Sequence, residues 1–335
     1  MLKKRKKNGI NFNLALLIIL IVIIATIAIA NPVFISFDYM MSVVVKNILE
    51  IGLLALPVTI IIITAGIDLS VGSIMILSCI AGGLAAKAGG SFLGVVVTLA
   101  VGVICGLVNG VIIAKLRISA LVTTLATMYL FRGIAKGITA GDSVYSYDFA
   151  TTMGTTDIGG IPLGLFFYIG LAIVFVLLLH KTAFGVSLYG IGLNPNAAKY
   201  SGIKVDKVLI SIYAISGAMC ALASFFYLGR FTSVKYDVAN SLNMKVVTVI
   251  IMGGTSILGG IGDMRGTIIS TFILAGLNSG LTVLNIPVDM QTVIQGVVLI
   301  IALIVYAVVI ERAKKNRLID VSKEKDKEVS ANSAE

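Results

Sequence analysis

The sequence predicts an all-α polytopic membrane protein with about ten transmembrane helices. Of its 335 residues, 58% are hydrophobic and only 13% are charged, whereas soluble domains carry about 25% charged residues. Runs such as Leu14 to Ala30 are almost uncharged and approach the roughly 20 residues that cross a hydrocarbon core about 30 Å thick. These two observations exclude an ordinary soluble domain.

Hydropathy divides the chain into a basic N-terminus (residues 1–13), a transmembrane domain (residues 14–310) and a polar tail (residues 311–335) that is predicted to be disordered. The first span should remain as an anchor, because it is long for a signal sequence and its peptidase site is poorly placed. The predicted spans cover residues 14–30, 43–65, 69–86, 92–114, 119–138, 162–179, 208–228, 243–258, 265–284 and 290–310.

The distribution of positive charge predicts that both termini are cytoplasmic. Nineteen of the 26 Lys and Arg residues fall in the predicted inner regions, as the positive-inside rule requires. The remaining seven lie on the outer side, several of them at span ends where long side chains can reach the interface. The outer loop of residues 141–160 has three Asp and no Lys or Arg. The net charge of +10 therefore marks the cytoplasmic side rather than a nucleic-acid surface.

Two short segments hint at an internal repeat. GLVNG (residues 106–110) and GLNSG (residues 276–280) lie in spans that run in opposite directions across the membrane. Inverted repeats of this kind underlie many transporters with a midplane pathway. Chance, or the small residues that helices use to pack, would give an equally good match.

The sequence offers no catalytic constellation, so the chain is predicted not to be an enzyme. Its three cysteines lie far apart in apolar segments, without the spacing of metal ligands. The single histidine, His180, lies near a helix C-terminus, where an imidazole is favourable without a further role. GGTSILGGIGDMRG (residues 253–266) superficially resembles a nucleotide loop but lacks the Lys-Ser/Thr that completes a P-loop.

The stretch ITAGIDLSVGSIM (residues 63–75) places an ionisable residue, Asp68, among apolar residues, where a charge is costly. One interpretation is structural: Asp68 and Ser70 cap the third span by accepting hydrogen bonds from its free N–H groups. The other is functional: the break lies within the membrane and lines a cavity for a polar solute. Asn109 has the same two interpretations. The candidate pathway residues are Asp68, Ser70, Ser73 and Asn109.

Residues 180–207 form an inner loop that is too long and too polar for a simple turn. Within it, Asn194-Pro195 begins a helix with proline in the first turn, and Gly202 ends that helix after about two turns. An exposed short helix can bind in a groove of another protein. A solvated connector would have the same pattern, so the residues alone leave both interpretations open.

Four motifs together resemble the permease subunits of ribose-type bacterial ABC importers. They are AGIDLSVGS (65–73), FGVSLYGIGLNPNAAKYSGI (184–203), MGGTSILGGIGDMRGT (252–267) and LNSGLTVLNIPVDMQTVIQGVVLIIA (277–302). The resemblance covers residues 30–310 and is strongest to permeases for autoinducer-2, rhamnose and related small polyols. The chain departs from the family pattern at Ile261 and Asp263, so no role is carried onto that loop.

The resemblance implies a type II ABC importer permease fold in the bacterial plasma membrane. The chain would pair with a second permease, identical or homologous, and move a monosaccharide or related small polyol by alternating access. Two separate ATPase subunits would use ATP and Mg²⁺, and a soluble sugar-binding protein would deliver the substrate outside. This chain itself would bind no cofactor and no metal. The helix that couples to the ATPase would comprise Pro195, Asn196, Ala197, Ala198, Lys199, Tyr200, Ser201 and Gly202.

The alternative is a secondary transporter that moves a small polar solute with an ion gradient. It requires a carboxylate that titrates in the middle of the membrane, and Asp68 is the candidate for that role. This alternative assigns no function to the exposed inner loop. Stable association with an ATPase would distinguish the importer from this alternative.

Overall fold

The computed structural model describes residues 12–238 and 241–308. The predicted basic N-terminus lies outside the described residues except for Phe12 and Asn13, and the predicted disordered tail lies entirely outside them. The predictions for those two segments are therefore not tested. The described residues are mostly helical, with two very short antiparallel strand pairings.

Twelve helices of six or more residues follow one another along the described chain. The first six are α1 (Phe12–Ala30), α2 (Phe37–Ile63), α3 (Val71–Lys115), α4 (Ala120–Thr139), α5 (Asp148–Thr155) and α6 (Leu163–Lys181). The next six are α7 (Ala183–Leu193), α8 (Pro195–Tyr200), α9 (Val205–Phe231), α10 (Leu242–Met252), α11 (Met264–Val283) and α12 (Val288–Val308). Four two-residue strands are β1 (Val144–Tyr145), β2 (Asp157–Ile158), β3 (Ile161–Pro162) and β4 (Ser233–Val234).

Seven of the described helices are long and apolar enough to cross a membrane, namely α1, α2, α3, α6, α9, α11 and α12. The 45-residue helix α3 would be about 67 Å long if straight, more than twice a hydrocarbon core. It is broken at Gly89 and Gly90, and Gly90 has a φ of 85° that glycine adopts readily. Its two arms run antiparallel and correspond to two predicted spans.

Two predicted segments differ from the structure. The predicted span 243–258 is helical only as far as Met252, because Gly253 and Gly254 end α10, and Gly254 has a positive φ. The predicted inner loop contains two helices rather than one. α7 is the additional helix, and each helix has its own N-cap, since Thr182 accepts from the N–H of Gly185 and Asn194 accepts from those of Asn196 and Ala197.

The core is built around α2, which is buried on all sides along most of its length. α9, α11, α6 and α10 surround it. The second arm of α3 packs closely on α9, because a Cβ at Gly106 would collide with the backbone of Tyr213 and Gly217. Small residues allow helices to approach closely in membranes, and here the approach brings the turn that carries Asn109 beside the first half of α9.

The short strands lie at the end of α9 opposite to α7 and α8. β1 pairs antiparallel with β4, so the segment that follows α4 is joined to the segment that follows α9. β2 pairs antiparallel with β3 immediately before α6. On the predicted orientation this is the outer surface.

Candidate functional site

The segment between α2 and α3 carries Asp68 into the interior of the helix bundle. Asp68 is 1% exposed. Its Oδ1 accepts hydrogen bonds from the backbone N–H of Ser70 at 2.9 Å and from the Ser70 hydroxyl at 2.6 Å. The hydroxyl of Ser216 on α9 donates to Oδ2 at 3.4 Å. Neutral donors therefore surround the carboxylate, and no cation in the described chain pairs with it.

Asn109 joins the same cluster from the second arm of α3. Its Nδ2 donates to the Ser70 hydroxyl at 2.8 Å, whereas its Oδ1 is buried without a partner among the described residues. The hydroxyl of Tyr213 on α9 is also buried and unpartnered there. Ser73 is buried one turn further along α3 and makes no side-chain hydrogen bond with the described residues. Three of the four predicted pathway residues are thus in one hydrogen-bonded cluster.

The N–H groups at the start of α3, and just before it, find acceptors on other helices. The N–H of Gly72 donates to Oδ1 of Asn243 on α10 at 2.8 Å, and the N–H of Leu69 donates to the Thr124 hydroxyl of α4 at 3.2 Å. The predicted cap by Asp68 and Ser70 is wrong, because Asp68 accepts from the N–H of the N-cap residue Ser70 itself and the Ser70 side chain accepts from no N–H of the helix. Asn243 on α10 accepts from a free helix N–H instead. Sequence reasoning missed Ser216, Asn243 and Thr124, because their role depends on which residues distant in the chain lie beside them.

The Asp68 cluster is closed in this conformation. Asp68, Ser70 and Asn109 are each at most 1% exposed. A solute could contact these side chains only after the surrounding helices separate. Their assignment to a translocation pathway therefore stays a prediction.

The predicted coupling residues form an exposed helix with one buried anchor. Tyr200 is 91% exposed, whereas Ala198 is 5% exposed and packs with Ile191 and Val205. The remaining predicted coupling residues, Pro195, Asn196, Ala197, Lys199, Ser201 and Gly202, are all exposed. Gly202, with a φ of 86°, ends the helix. Ala198 therefore holds α8 against the protein and leaves the opposite face free.

A glycine junction connects α7 with the end of α2. The N–H of Gly260 donates to the carbonyl of Ile63 at 2.8 Å. A Cβ at Gly192 would collide with that same carbonyl, and one at Gly259 would lie 2.7 Å from the Cβ of Ala65. Ala65 itself has a φ of 62°, which is uncommon for a residue other than glycine. α7 thus contacts the segment that leads directly to Asp68.

His180 and Asp263 connect three helices beside this junction. Nε2 of His180 lies 3.2 Å from Oδ1 of Asp263, which also caps α11 by accepting from the N–H of Arg265. Oδ2 of Asp263 accepts from the side chain of Asn13 on α1. The helix-end position predicted for His180 is confirmed, and this long-range partner was not visible in the sequence.

Tyr189 links α7 to the loop that follows α10. Its hydroxyl donates to the carbonyl of Gly262 at 2.8 Å. Burial, and secondarily the charge of Asp263, raises the pKa of Tyr189 to about 12. The phenol therefore remains protonated and keeps donating throughout the physiological pH range.

An ion pair lies near the opposite end of the bundle. Arg230 at the end of α9 pairs with Glu50 on α2 and donates to Oδ1 of Asn47 at 3.0 Å. Asn47 in turn donates to the Ser279 hydroxyl on α11. The side chains of Arg230 and Glu50 are 21% and 19% exposed, so both charges are largely removed from solvent. This network connects α9, α2 and α11 at one level.

Within residues 12–238 and 241–308, no group of three or more His, Cys, Asp or Glu side chains is placed to hold a metal ion. The prediction that the chain itself binds no cofactor rests on the sequence alone.

Similarity to known proteins identifies the family of this chain. Residues 39–303 match the family described as branched-chain amino acid transport system / permease component. Relatives named Autoinducer 2 import system permease protein LsrD occur in Escherichia coli (strain K12), Shigella flexneri and Escherichia coli O157:H7. Each is 32% identical over 309 residues, which cover 90% of this chain and 93% of the relative. No solved structure gives a significant match. With seven apolar membrane-length helices among its described residues, this multi-pass plasma-membrane protein belongs to that permease family and, within it, to the permease subunits of ribose-type ABC importers.

Proposed function

We propose that the chain forms one half of the translocation pathway of an ATP-driven, binding-protein-dependent importer of a monosaccharide or related small polyol. The observation that carries this proposal is that α8 is exposed, while α7, which immediately precedes it, contacts the end of α2 at the glycine junction. A partner that moved α8 would act through α7 on the segment that bears Asp68. Relatives named for import of autoinducer 2 support a small hydroxylated substrate.

Counting α3 as two spans and adding α4 and α10 to the seven apolar helices gives ten passes within residues 12–308 and puts the two ends of that range on one side. The charge distribution assigns that side to the cytoplasm. On this topology α7, α8 and the glycine junction face the cytoplasm, whereas the β1–β4 pairing faces outward. Two ATPase subunits would bind inside with ATP and Mg²⁺, and a sugar-binding protein would dock outside.

The transport cycle is alternating access. The pathway lies between two copies of this chain, or between this chain and a homologous permease, and opens to one side of the membrane at a time. ATP binding draws the ATPases together, and the α8 helices carry that movement through the glycine junctions. The helices around the closed Asp68 cluster then move apart, first towards one side of the membrane and then towards the other. The soluble binding protein supplies substrate affinity, so the pathway itself needs only a weak site.

Tyr200→Asp tests this proposal, because the side chain is exposed and contributes little to packing within the chain. We expect the purified variant to lose its ATPase subunit while its thermal stability stays within about 0.5 kcal/mol of the parent. Tyr145→Asp is the matched control, since Tyr145 is an exposed tyrosine on the opposite surface. Ala198→Arg is unsuitable, because Ala198 is buried and its replacement would disturb α8 itself.

Retention of the ATPase by the Tyr200 variant would contradict the assignment of α8. If no ATPase associates even with the parent permease, the gradient-driven alternative gains support. That alternative depends on proton exchange at Asp68. Asp68→Asn, which retains an acceptor oxygen, must then abolish transport.

A further inference from the structure

α7 is held at three points against the loop between α10 and α11, residues 253–263. Where α6 leads into α7, Nε2 of His180 lies 3.2 Å from Oδ1 of Asp263. In the middle of α7, the hydroxyl of Tyr189 donates to a backbone carbonyl of the loop at 2.8 Å. Near the end of α7, Gly192 packs so closely that a Cβ there would collide with the backbone of Gly260. These contacts fix the position of α7 relative to the loop.

The three contacts respond differently to pH. The contact at Gly192 involves no ionisable group, and Tyr189, whose pKa burial raises to about 12, stays protonated in the cell. An imidazole changes its charge between about pH 5 and 8. His180 is the single histidine of the chain, and its side chain is 27% exposed, so protons reach it without a conformational change. Of the three contacts, only the one at His180 can therefore follow the cytoplasmic pH.

The geometry around His180 suits an imidazole that carries two protons. Its Nδ1 lies 3.1 Å from the carbonyl oxygen of Val176, and its Nε2 faces the carboxylate of Asp263. Both oxygens only accept hydrogen bonds, whereas a neutral imidazole has one nitrogen that donates and one that accepts. Loss of the second proton therefore places a nitrogen lone pair against an oxygen. The contacts are complete at low pH, and one of them is lost as the pH rises.

Asp263 stays in place whether or not His180 is charged. Its Oδ1 also accepts from the N–H of Arg265, and its Oδ2 accepts from the side chain of Asn13, both at 2.9 Å. The end of α6 favours a cation and the start of α11 favours an anion. The other charged groups here, Lys181 and Arg265, are exposed, and α2, which packs on α6, has no ionisable residue after position 50. On α7, the titratable group is the tyrosine described above.

We propose that the His180–Asp263 pair is a proton-operated clamp on α7, through which the cytoplasmic pH regulates how tightly ATP hydrolysis is coupled to transport. The inference rests on the function proposed above, in which α7 carries the movement of α8 to the glycine junction. The protonated pair fixes the start of α7, so the movement reaches the end of α2 in full. When the proton is lost, α7 gains freedom there, and hydrolysis proceeds with less transport. No proton crosses the membrane in this cycle.

Hydrogen exchange in the full-length permease tests the clamp without an ATPase. The variants are His180→Gln, which is neutral at every pH, and Asp263→Asn, which keeps an oxygen that caps α11. At about pH 6, the N–H groups of α7 should exchange about two- to fivefold faster in either variant than in the parent, because a partly exposed ion pair contributes a modest free energy. At about pH 8.5, the parent and the variants should exchange equally.

The comparison is made at one pH at a time, which cancels the intrinsic pH dependence of exchange. Lys181→Gln, which changes the exposed neighbouring cation, is the matched control and should follow the parent at both pH values. Equal exchange in the parent and in His180→Gln at about pH 6 would overturn the clamp.

ATP hydrolysis by the assembled permease–ATPase complex tests the regulation. At about pH 6, the complex with His180→Gln should hydrolyse ATP about two- to fivefold faster than the parent complex in the absence of a binding protein, whereas the two rates should converge at about pH 8.5. The same ATPase is used throughout, so its own pH dependence cancels in the ratio. His180→Lys, which keeps a cation at every pH, should hold the rate low at both pH values.

A ratio of the two rates that does not change with pH would overturn the regulation. If the ATPase binds but exchange in α7 shows no difference between the parent and His180→Gln, this inference fails and the proposed function stands. If exchange in α7 follows the pH but no ATPase binds, the pH-dependent contact stands, and the regulation fails together with the proposed function.

Discussion

Asp68 and Arg132 are both ionisable residues in a membrane-embedded chain, but their surroundings are opposite. Asp68 is enclosed, and its carboxylate accepts hydrogen bonds from Ser70 and Ser216. Arg132 on α4 is partly exposed, and its guanidinium lies 5.9 Å from the centre of the exposed Tyr129 ring. The difference separates two uses of charge. An enclosed carboxylate orders the segment before a helix, whereas a partly exposed cation towards the end of a span can extend to the membrane interface.

Removal of the acceptor at Asp68 should have the largest effect on stability. Asp68→Leu leaves the N–H of Ser70 and the hydroxyls of Ser70 and Ser216 without that acceptor. Each unsatisfied buried donor costs about 1–3 kcal/mol, so we expect a loss on the order of 3 kcal/mol or more. Thermal unfolding in detergent measures the loss.

Asp68→Asn is the matched control, since it keeps an acceptor oxygen and should lose about 1 kcal/mol or less. Equal stability of the Leu and Asn variants would mean that Asp68 does not organise the start of α3.

Changes at the Glu50–Arg230 pair should have an intermediate effect on stability, because both charges are largely buried but neutralise each other. Arg230→Gln leaves Glu50 without its cation, and we expect a loss of about 1–3 kcal/mol, less than for a fully buried pair because both side chains retain some exposure. The double variant Glu50→Gln/Arg230→Gln should recover most of that stability. A double-mutant cycle of melting temperatures measures the coupling, and simple additivity would contradict it.

Arg132→Gln should have the smallest effect on stability, within about 0.5 kcal/mol, because the side chain is partly exposed and lies against an exposed ring. Thermal unfolding in detergent measures this effect. A melting temperature that falls as far as that of Asp68→Leu would show that Arg132 is also structural and would remove the contrast between the two residues.

The sequence predicted Asp68 correctly as an unusual residue, because one carboxylate in an apolar stretch is visible by composition alone. It also predicted the start of α8 at Asn194-Pro195 and its end at Gly202, since proline and glycine act locally. It did not predict Asn243 as the residue that accepts the N–H of Gly72. Nor did it predict Asp263 as the partner of His180. Both depend on which residues distant in the chain lie nearby, and hydropathy carries no such information.

The Gly89–Gly90 break has a consequence for biogenesis. The two arms of α3 are joined by only two non-helical residues, so we expect them to enter the bilayer together as one helical hairpin. A nascent chain that stops just after the break lacks the partner on which the first arm folds back, so stable retention of this region in the membrane should increase once the second arm has been synthesised.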